Sequence, residues 1–264
     1  MPSIRTAAVV THGREDLTAA LVRLRAVAAA CGVELVEDAS DEPAPDIAIV
    51  LGGDGTMLRA LARFLGSGVP VLGVNYGRVG FLTTMQASDL ESGLARVFSG
   101  DYKTIELSTV AVSVGDTRRV AVNDVVVAGD TLGRLIELSY AVGGEDLGLQ
   151  PCDGLICATP TGSTAYNLSN GGPVLVWGLD AMVLTFVAPH SLHIRPLVVP
   201  RGSDVTITNK TTSFDATVLV DGQPVGRLAA GEEARVRVGE QHSLLATLPE
   251  VTFFRRYGAT FGGV

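Results

Sequence analysis

The feature that most constrains this 264-residue chain is an uninterrupted apolar run, Ile47-Ala48-Ile49-Val50-Leu51, that ends in Gly52-Gly53-Asp54-Gly55-Thr56. A short run with no polar alternation predicts a strand covered on both faces, as in a parallel sheet. Apolar residues at 57, 58, 61, 64 and 65 then predict a helix with one buried face. Three glycines and one carboxylate lie between strand and helix. Ligands of open α/β sheets bind at the carboxyl ends of strands, where helix N-termini present free N–H groups. Glycines let the backbone approach a phosphate closely. A carboxylate beside phosphates needs a task there, such as accepting a proton from an attacking hydroxyl or holding a bridging metal ion. This stretch alone points to phosphoryl transfer centred on Asp54.

The preceding and following segments repeat the same grammar. Thr6 to Val10 reads as a strand, Asp16 to Ala30 as a helix closed by Gly32, and Val33 to Val36 as a second strand. Asp38 to Asp46, acidic and carrying Pro43 and Pro45, reads as an exposed loop. Val69 to Asn75 is another buried strand, leading into Asn75-Tyr76-Gly77-Arg78-Val79-Gly80-Phe81-Leu82. That loop faces the same crevice as Gly52–Thr56, although Gly77 and Gly80 also suit a tight turn requiring positive φ. Ser88 to Phe98 reads as a helix capped by Ser88.

From residue 104 the pattern changes to short strands punctuated by glycine. They are 106–114, 118–128, 134–142, 204–208, 216–220 and 234–238, with turns at Gly115-Asp116, Gly129-Asp130, Gly143-Gly144 and Asp221-Gly222. The expected architecture is an α/β domain with a parallel sheet over 1–104, completed by 241–264, and a β-rich, sandwich-like domain over 105–240. The tail around Val251–Tyr257 would return to the first domain, and a ligand would lie between the two.

Composition narrows the function class. With 47% hydrophobic residues, 31 glycines and 18% charged residues the chain is compact and turn-rich. A net charge of −8 argues against nucleic acid and anionic membranes as partners. Neither an 18-residue apolar run nor a signal-peptide pattern is present, so a cytoplasmic protein is expected. Cys31, Cys152 and Cys157 form no metal or disulfide pattern and read as small buried residues. His12, His190, His193 and His242 lack metal-ligand spacing, and no lysine follows the glycines as in a Walker A loop.

Two further stretches carry chemistry. Asp153 to Pro173 is dense in glycine and hydroxyl residues, with Tyr166 available to stack on a ring; an ordinary Ser/Thr-rich turn is the alternative. Asn123-Asp124 interrupts apolar strand residues, and such groups need hydrogen-bond partners that a nucleoside, or a structural bulge, would supply. Arg59 and Arg134 are candidate phosphate clamps. Asp221-Gly222 reads first as a hairpin turn.

Taken together these stretches resemble the NAD kinases, which phosphorylate the 2′-hydroxyl of the adenosine ribose of NAD. Gly52-Gly53-Asp54-Gly55-Thr56 is similar to that family's first signature and Asn75 through Leu82 to its second. Val122-Asn123-Asp124-Val125-Val126 resembles the third, and Asp153-Gly154 through Thr159-Pro160-Thr161-Gly162-Ser163-Thr164-Ala165-Tyr166 the most distinctive. The resemblance implies that Asp54 accepts the ribose proton, with Gly55 and Arg59 beside the dinucleotide. It implies that Asn123, Asp124, Arg134, Asp153, Thr164, Ala165, Tyr166, Asn167, Leu168, Ser169 and Gln223 bind NAD. Gly52, Gly53, Thr56, Asn75, Gly77 and Phe81 would form the phosphate loops. It further implies Mg²⁺ or another divalent cation, with no protein ligand to it assigned, ATP or polyphosphate as donor, and a homodimer or homotetramer. A lipid or sugar kinase sharing only Gly-Gly-Asp-Gly, and a non-catalytic NAD(P)(H) sensor, are the rival readings.

Overall fold

The computed structural model describes residues 4–12, 17–36, 44–77, 80–129 and 134–262. Two compact units emerge, one formed by 1–106 with 243–264 and the other by 107–242. In chain order the first unit begins with β1 (Thr6–Thr11), α1 (Thr18–Cys31), β2 (Glu34–Val36), β3 (Ile47–Gly52) and α2 (Asp54–Arg63). It continues with β4 (Pro70–Asn75), β5 (Met85–Gln86), α3 (Leu90–Phe98) and β6 (Lys103–Leu107). The second unit holds β7 (Val110–Val114), β8 (Thr117–Ala121), β9 (Asp124–Gly129), β10 (Ile136–Val142), β11 (Glu145–Cys152) and β12 (Gly154–Ala158). After these come the single-turn α4 (Tyr166–Ser169), β13 (Ala181–Val187), β14 (Leu197–Pro200), β15 (Val205–Asn209), β16 (Ala216–Val220), β17 (Gln223–Leu228) and β18 (Glu233–Val238). The chain then returns to the first unit as β19 (Ser243–Thr247) and α5 (Phe253–Phe261).

The first unit is a sheet ordered β2-β1-β3-β4-β19-β6, with β5 beside β4. The pairings of β1 with β2 and β3, and of β4 with β3, β5 and β19, are all parallel. Every residue of β3 and β4 is buried, as an apolar run covered on both faces requires. Leu24 of α1 and Leu90 and Leu94 of α3 share one core with Ile47, Ile49, Leu51 and Leu72. Helix α2 lies against β3 and β4 and buries Met57, Ala60 and Leu61. Gly32 closes α1 in the left-handed region at φ 69°, as expected of a helix-ending glycine.

The second unit is a sandwich of two six-stranded sheets, β11-β10-β15-β18-β7-β8 and β14-β13-β12-β9-β16-β17, whose described pairings are all antiparallel. One apolar cluster joins them, with Val112, Ile136, Leu138, Ile207 and Val236 from one sheet and Val125, Val127, Leu155, Met182 and Val218 from the other. The α/β-plus-β-rich architecture read from the sequence is therefore the observed fold.

Several local expectations change. The stretch 106–114 divides into β6 and β7, because the buried Thr109 hydroxyl turns to donate to the Gln241 carbonyl at 2.5 Å. The stretch 118–128 divides at Val122-Asn123, whose N–H groups leave the ladder for a carboxylate described below. Ser88 does not cap α3: it sits in a 3₁₀ turn and bonds Asp89, and α3 begins at Leu90 with no side-chain cap. Cys31 is exposed, whereas Cys152 and Cys157 are buried, their thiols pushed up to about 12 chiefly by burial. Most of the loop 38–46, the start of the helix expected from Asp16, and Asp130 lie outside the described residues. Among the described residues no helix is long and apolar enough to cross a membrane.

Candidate active site

In the first unit the strand–glycine–helix junction places Asp54 as the first residue of α2, immediately after Gly53, whose carbonyl accepts from the N–H groups of Thr56 at 2.9 Å and Met57 at 3.1 Å. A helix N-terminus favours a negative charge at this place. Asp54 Oδ2 accepts from the Phe81 N–H at 2.6 Å and Oδ1 from the Leu82 N–H at 3.0 Å. The carboxylate is thus tied to a second loop 27 and 28 residues downstream.

Glycines make that approach possible by lacking a Cβ. One placed on Gly80 would sit 2.2 Å from Asp54 Oδ1. One on Gly52 would sit 2.7 Å from Thr56 Oγ1, the hydroxyl that accepts from Arg59 at 3.3 Å. Neither Gly77 nor Gly80 has a positive φ, so the tight-turn reading of these two is replaced by close approach at Gly80. Register pairs Gly52 with Asn75, bringing the two loops side by side. The buried Asn75 accepts the Gly77 N–H through Oδ1 at 3.0 Å, which shapes the second loop. Gly52, Gly53, Asp54, Gly55, Thr56, Arg59, Asn75, Gly77 and Phe81 accordingly gather at the carboxyl ends of β3 and β4; Arg78 and Val79 lie outside the described residues.

In the second unit the centre is the break between β8 and β9. Asp221 and Gly222 form a two-residue hairpin with φ 48° and 77°, the primed turn expected of Asp-Gly. The Asp221 carboxylate accepts from the N–H groups of Val122 at 2.9 Å, Asn123 at 2.7 Å and Asp124 at 3.2 Å. From the other side the Thr159 N–H donates to the Asn123 carbonyl at 2.8 Å, and the Thr159 hydroxyl to the Val122 carbonyl at 2.6 Å. A Cβ on Gly162 would lie 2.0 Å from the Asn123 carbonyl oxygen. The segment 122–124 is clamped between a hairpin and the Thr159–Gly162 turn.

The clamp leaves polar atoms over. Asn123 Oδ1 and Thr161 Oγ1 are buried with no hydrogen-bond partner, so they are available to a ligand. Asp124 is 6% exposed, and burial together with the neighbouring Asp221 pushes its carboxyl up to about 7. Burial also raises Asp221, against the three N–H bonds that favour its anion.

The remaining candidates divide. Tyr166 is exposed on α4, and Gln223 is exposed at the start of β17, at the Asp124 end of its sheet. Thr164, Ala165, Leu168 and Ser169 line the same turn and α4, with the Thr164 hydroxyl donating to the Thr161 carbonyl. Asn167 is fully buried and its amide is spent within the fold. It donates to the Ser163 and Pro173 carbonyls and accepts from Thr185, so its side chain supports the turn from within. Asp153 precedes β12 at the end paired with Ala128, whereas the Asn123–Thr159 clamp is at the end paired with Asp124. Those ends are separated by roughly 15–20 Å at strand rise. Exposed Arg134 accompanies Asp153 at that far end, its carbonyl 3.6 Å from where a Gly129 Cβ would stand. Sequence reading missed the carboxylate role of Asp221 and the role of Arg256 altogether. The available signal for the latter was the pair Arg255-Arg256 set among the aromatic residues of the tail, of which Arg256 is the buried one.

Among the described residues no group of three His, Cys, Asp or Glu could hold a metal ion.

Both parts of the chain match known proteins. Residues 32–102 match the family model for the ATP-NAD kinase N-terminal domain and residues 122–248 that for the ATP-NAD kinase C-terminal domain. An NAD kinase of Heliobacterium modesticaldum is 41% identical over 215 residues, covering 80% of this chain and 76% of that relative. One of Nitratidesulfovibrio vulgaris is 36% identical over 272 residues, covering 97% and 96%. The crystal structure of an NAD kinase from Archaeoglobus fulgidus in complex with ATP superposes with a TM-score of 0.81 at 27% identity, covering 97% of each chain. Yeast NADH kinase complexed with NADH shares the fold, with a TM-score of 0.86 at 23% identity over 99% of this chain and 89% of that one.

Proposed function

This chain belongs to the NAD kinase family, and from that premise we propose that it transfers the terminal phosphoryl group of ATP to the 2′-hydroxyl of the adenosine ribose of NAD, with Asp54 taking the proton. The observation that carries the proposal is the Asp54 carboxylate, pinned by two N–H groups at the mouth of a glycine loop. A ribose hydroxyl is a weak nucleophile, and a positioned base contributes about 10²–10⁴-fold. Alignment of the two substrates supplies most of the rest.

In this reading Gly52, Gly53, Thr56, Asn75, Gly77 and Phe81 frame the phosphates, with Gly55 and Arg59 beside the dinucleotide. Asn123 and Asp124 hold the adenosine part, the unpaired Asn123 Oδ1 accepting from the nucleoside. Thr164 to Ser169 frame that pocket, Tyr166 offering its exposed ring and Asn167 holding the turn from within. Gln223 closes the Asp124 end, and Asp153 and Arg134 serve the far end of β12. Mg²⁺ would arrive with the donor's phosphates and shield their charge; polyphosphate is the alternative donor. A cytoplasmic homodimer or homotetramer completes the proposal, an interface covering apolar side chains such as Leu192, 89% exposed, and Leu197 and Val198. The match to both NAD kinase domains leaves the lipid- or sugar-kinase reading without support.

The test is purified protein with NAD, Mg²⁺ and ATP, coupled to an NADP-specific dehydrogenase and read as NADPH absorbance, with polyphosphate in a parallel reaction. Asp54→Asn is expected to cut turnover by about 10²–10⁴-fold while NAD still binds. Loss of NAD binding with unchanged turnover per bound NAD would remove the general-base role. Protein that binds NAD and phosphorylates it with neither donor would be the sensor.

A further inference from the structure

The tail helix α5 carries a single buried cation aimed at the Asp54 loop. Thr252 caps the helix, its hydroxyl accepting the Arg255 N–H at 3.3 Å, and Arg256, 7% exposed, points inward. Arg256 Nη1 donates to the Phe81 carbonyl at 2.8 Å and to the Thr83 carbonyl at 2.5 Å. Nη2 donates to the hydroxyls of Thr84 at 3.4 Å and Thr247 at 3.3 Å. The Phe81 ring is held by the same helix, 5.3 Å from Phe253 edge to face and 6.0 Å from Phe261.

The Phe81 carbonyl and the Leu82 N–H are the two ends of one peptide group. Its oxygen accepts from Arg256 and its N–H donates to Asp54 Oδ1. A planar peptide with a cation at one end and an anion at the other is polarised in both senses, and each hydrogen bond strengthens the next. We propose that Arg256 is a positioning residue for the phosphoryl-transfer reaction, holding the Asp54 carboxylate in place through the Phe81–Leu82 peptide. The inference rests on the kinase reading and on Asp54 as its base. Burial lowers Arg256 to about 10 while the nearby Asp54 charge opposes that shift, so Arg256 stays cationic at neutral pH. Among the described residues Arg59 of α2 donates to the Thr56 hydroxyl, whereas Arg256 reaches the peptide that binds Asp54.

The experiment compares wild type, Arg256→Gln and Arg256→Lys by steady-state kinetics, with thermal unfolding measured on the same preparations. Arg256→Gln is expected to lower kcat by roughly tenfold to a hundredfold, with the KM for NAD changed less than about threefold. A kcat loss with KM held separates a misplaced base from a generally loosened fold, and a KM that rises as steeply as kcat falls overturns the proposal. Arg256→Lys, which keeps the charge but cannot hold both carbonyls as a fork, should fall between the two. A folded Arg256→Gln protein with wild-type kcat overturns the proposal. If the Gln protein does not fold, a Lys variant with wild-type kcat overturns it instead, since a generic buried cation would then suffice. Failure of the kinase reading looks different: wild-type protein itself makes no NADP, or Asp54→Asn turns over at the wild-type rate.

Discussion

Two aspartates in this molecule are handled in opposite ways. Asp54 stands at a helix N-terminus and receives two backbone N–H groups. Asp124 is nearly as buried as the core, no hydrogen bond reaches its carboxylate among the described residues, and the N–H groups of its own segment go to Asp221. Two backbone donors fix one carboxylate in its loop. Their diversion from the other leaves burial to dominate, and its carboxyl rises to about 7. One residue type becomes a tethered carboxylate in one loop and an untethered, buried carboxyl in the other. The allocation of a few backbone N–H groups decides which.

Apart from removal of the Asp54 carboxylate itself, the largest break in this comparison comes from crowding it. Gly80→Ala puts a methyl 2.2 Å from Oδ1, and the carboxylate or the loop must give way. The expected result is a loss of roughly a hundredfold in kcat with thermal stability little changed, since misplacement of about 1 Å costs that much. Steady-state kinetics beside a melting curve check it; an unaffected kcat would mean that the anchored geometry is not the reacting one.

The second break removes the anchor on the other side. Asp221→Ala strands three N–H groups at once, and each unsatisfied buried donor costs about 1–3 kcal/mol. The segment 122–124 is expected to lose its set conformation, raising the Kd for NAD by about tenfold or more and lowering the melting temperature. Isothermal titration with NAD measures the first effect. Asp221→Asn, which keeps one acceptor oxygen, should recover part of both.

These two residues also mark where the sequence was legible. Strands β3 and β4 could be read because a run buried on both faces must be apolar throughout, and Gly32 because a helix end needs its φ. The loop Asp54 heads was legible as a phosphate-facing turn. The reason for Gly80 was not, since it depends on a carboxylate 26 positions earlier in the chain. Asp221 read correctly as a hairpin, yet its carboxylate acts on backbone 97–99 residues away. Arg256 reaches 173 and 175 residues back. Strands β11 to β14 and β17 were missed for simpler reasons: β11 is exposed over most of its length, β14 and β17 contain proline, and the hydroxyl-rich turn after β12 obscured its five buried residues. Local periodicity records which face a residue shows, and none of these long-range polar links leaves a trace in it.

The smallest effect is the sharpest test of how the two aspartates differ. A carboxyl raised in the folded protein relative to its unfolded value of about 3.9 lends its stability in full below that value. The contribution is lost as pH rises through about 7, because the fold must then either bury a charge or keep a proton that the unfolded chain releases. Asp124→Asn cannot ionise, so it removes that pH dependence. The variant should match or fall slightly below wild type at pH 4 and exceed it at pH 8, by roughly 3 °C in melting temperature for a gain of about 1 kcal/mol. Asp54→Asn, which gives up an acceptor oxygen to one of its two N–H donors, should show no such gain at pH 8. Melting curves of both variants across pH 4–8 in the absence of ligand decide the matter. A stability difference at Asp124 that is flat in pH would mean that its carboxyl is ionised throughout, and the contrast between the two sites would then lie in position alone.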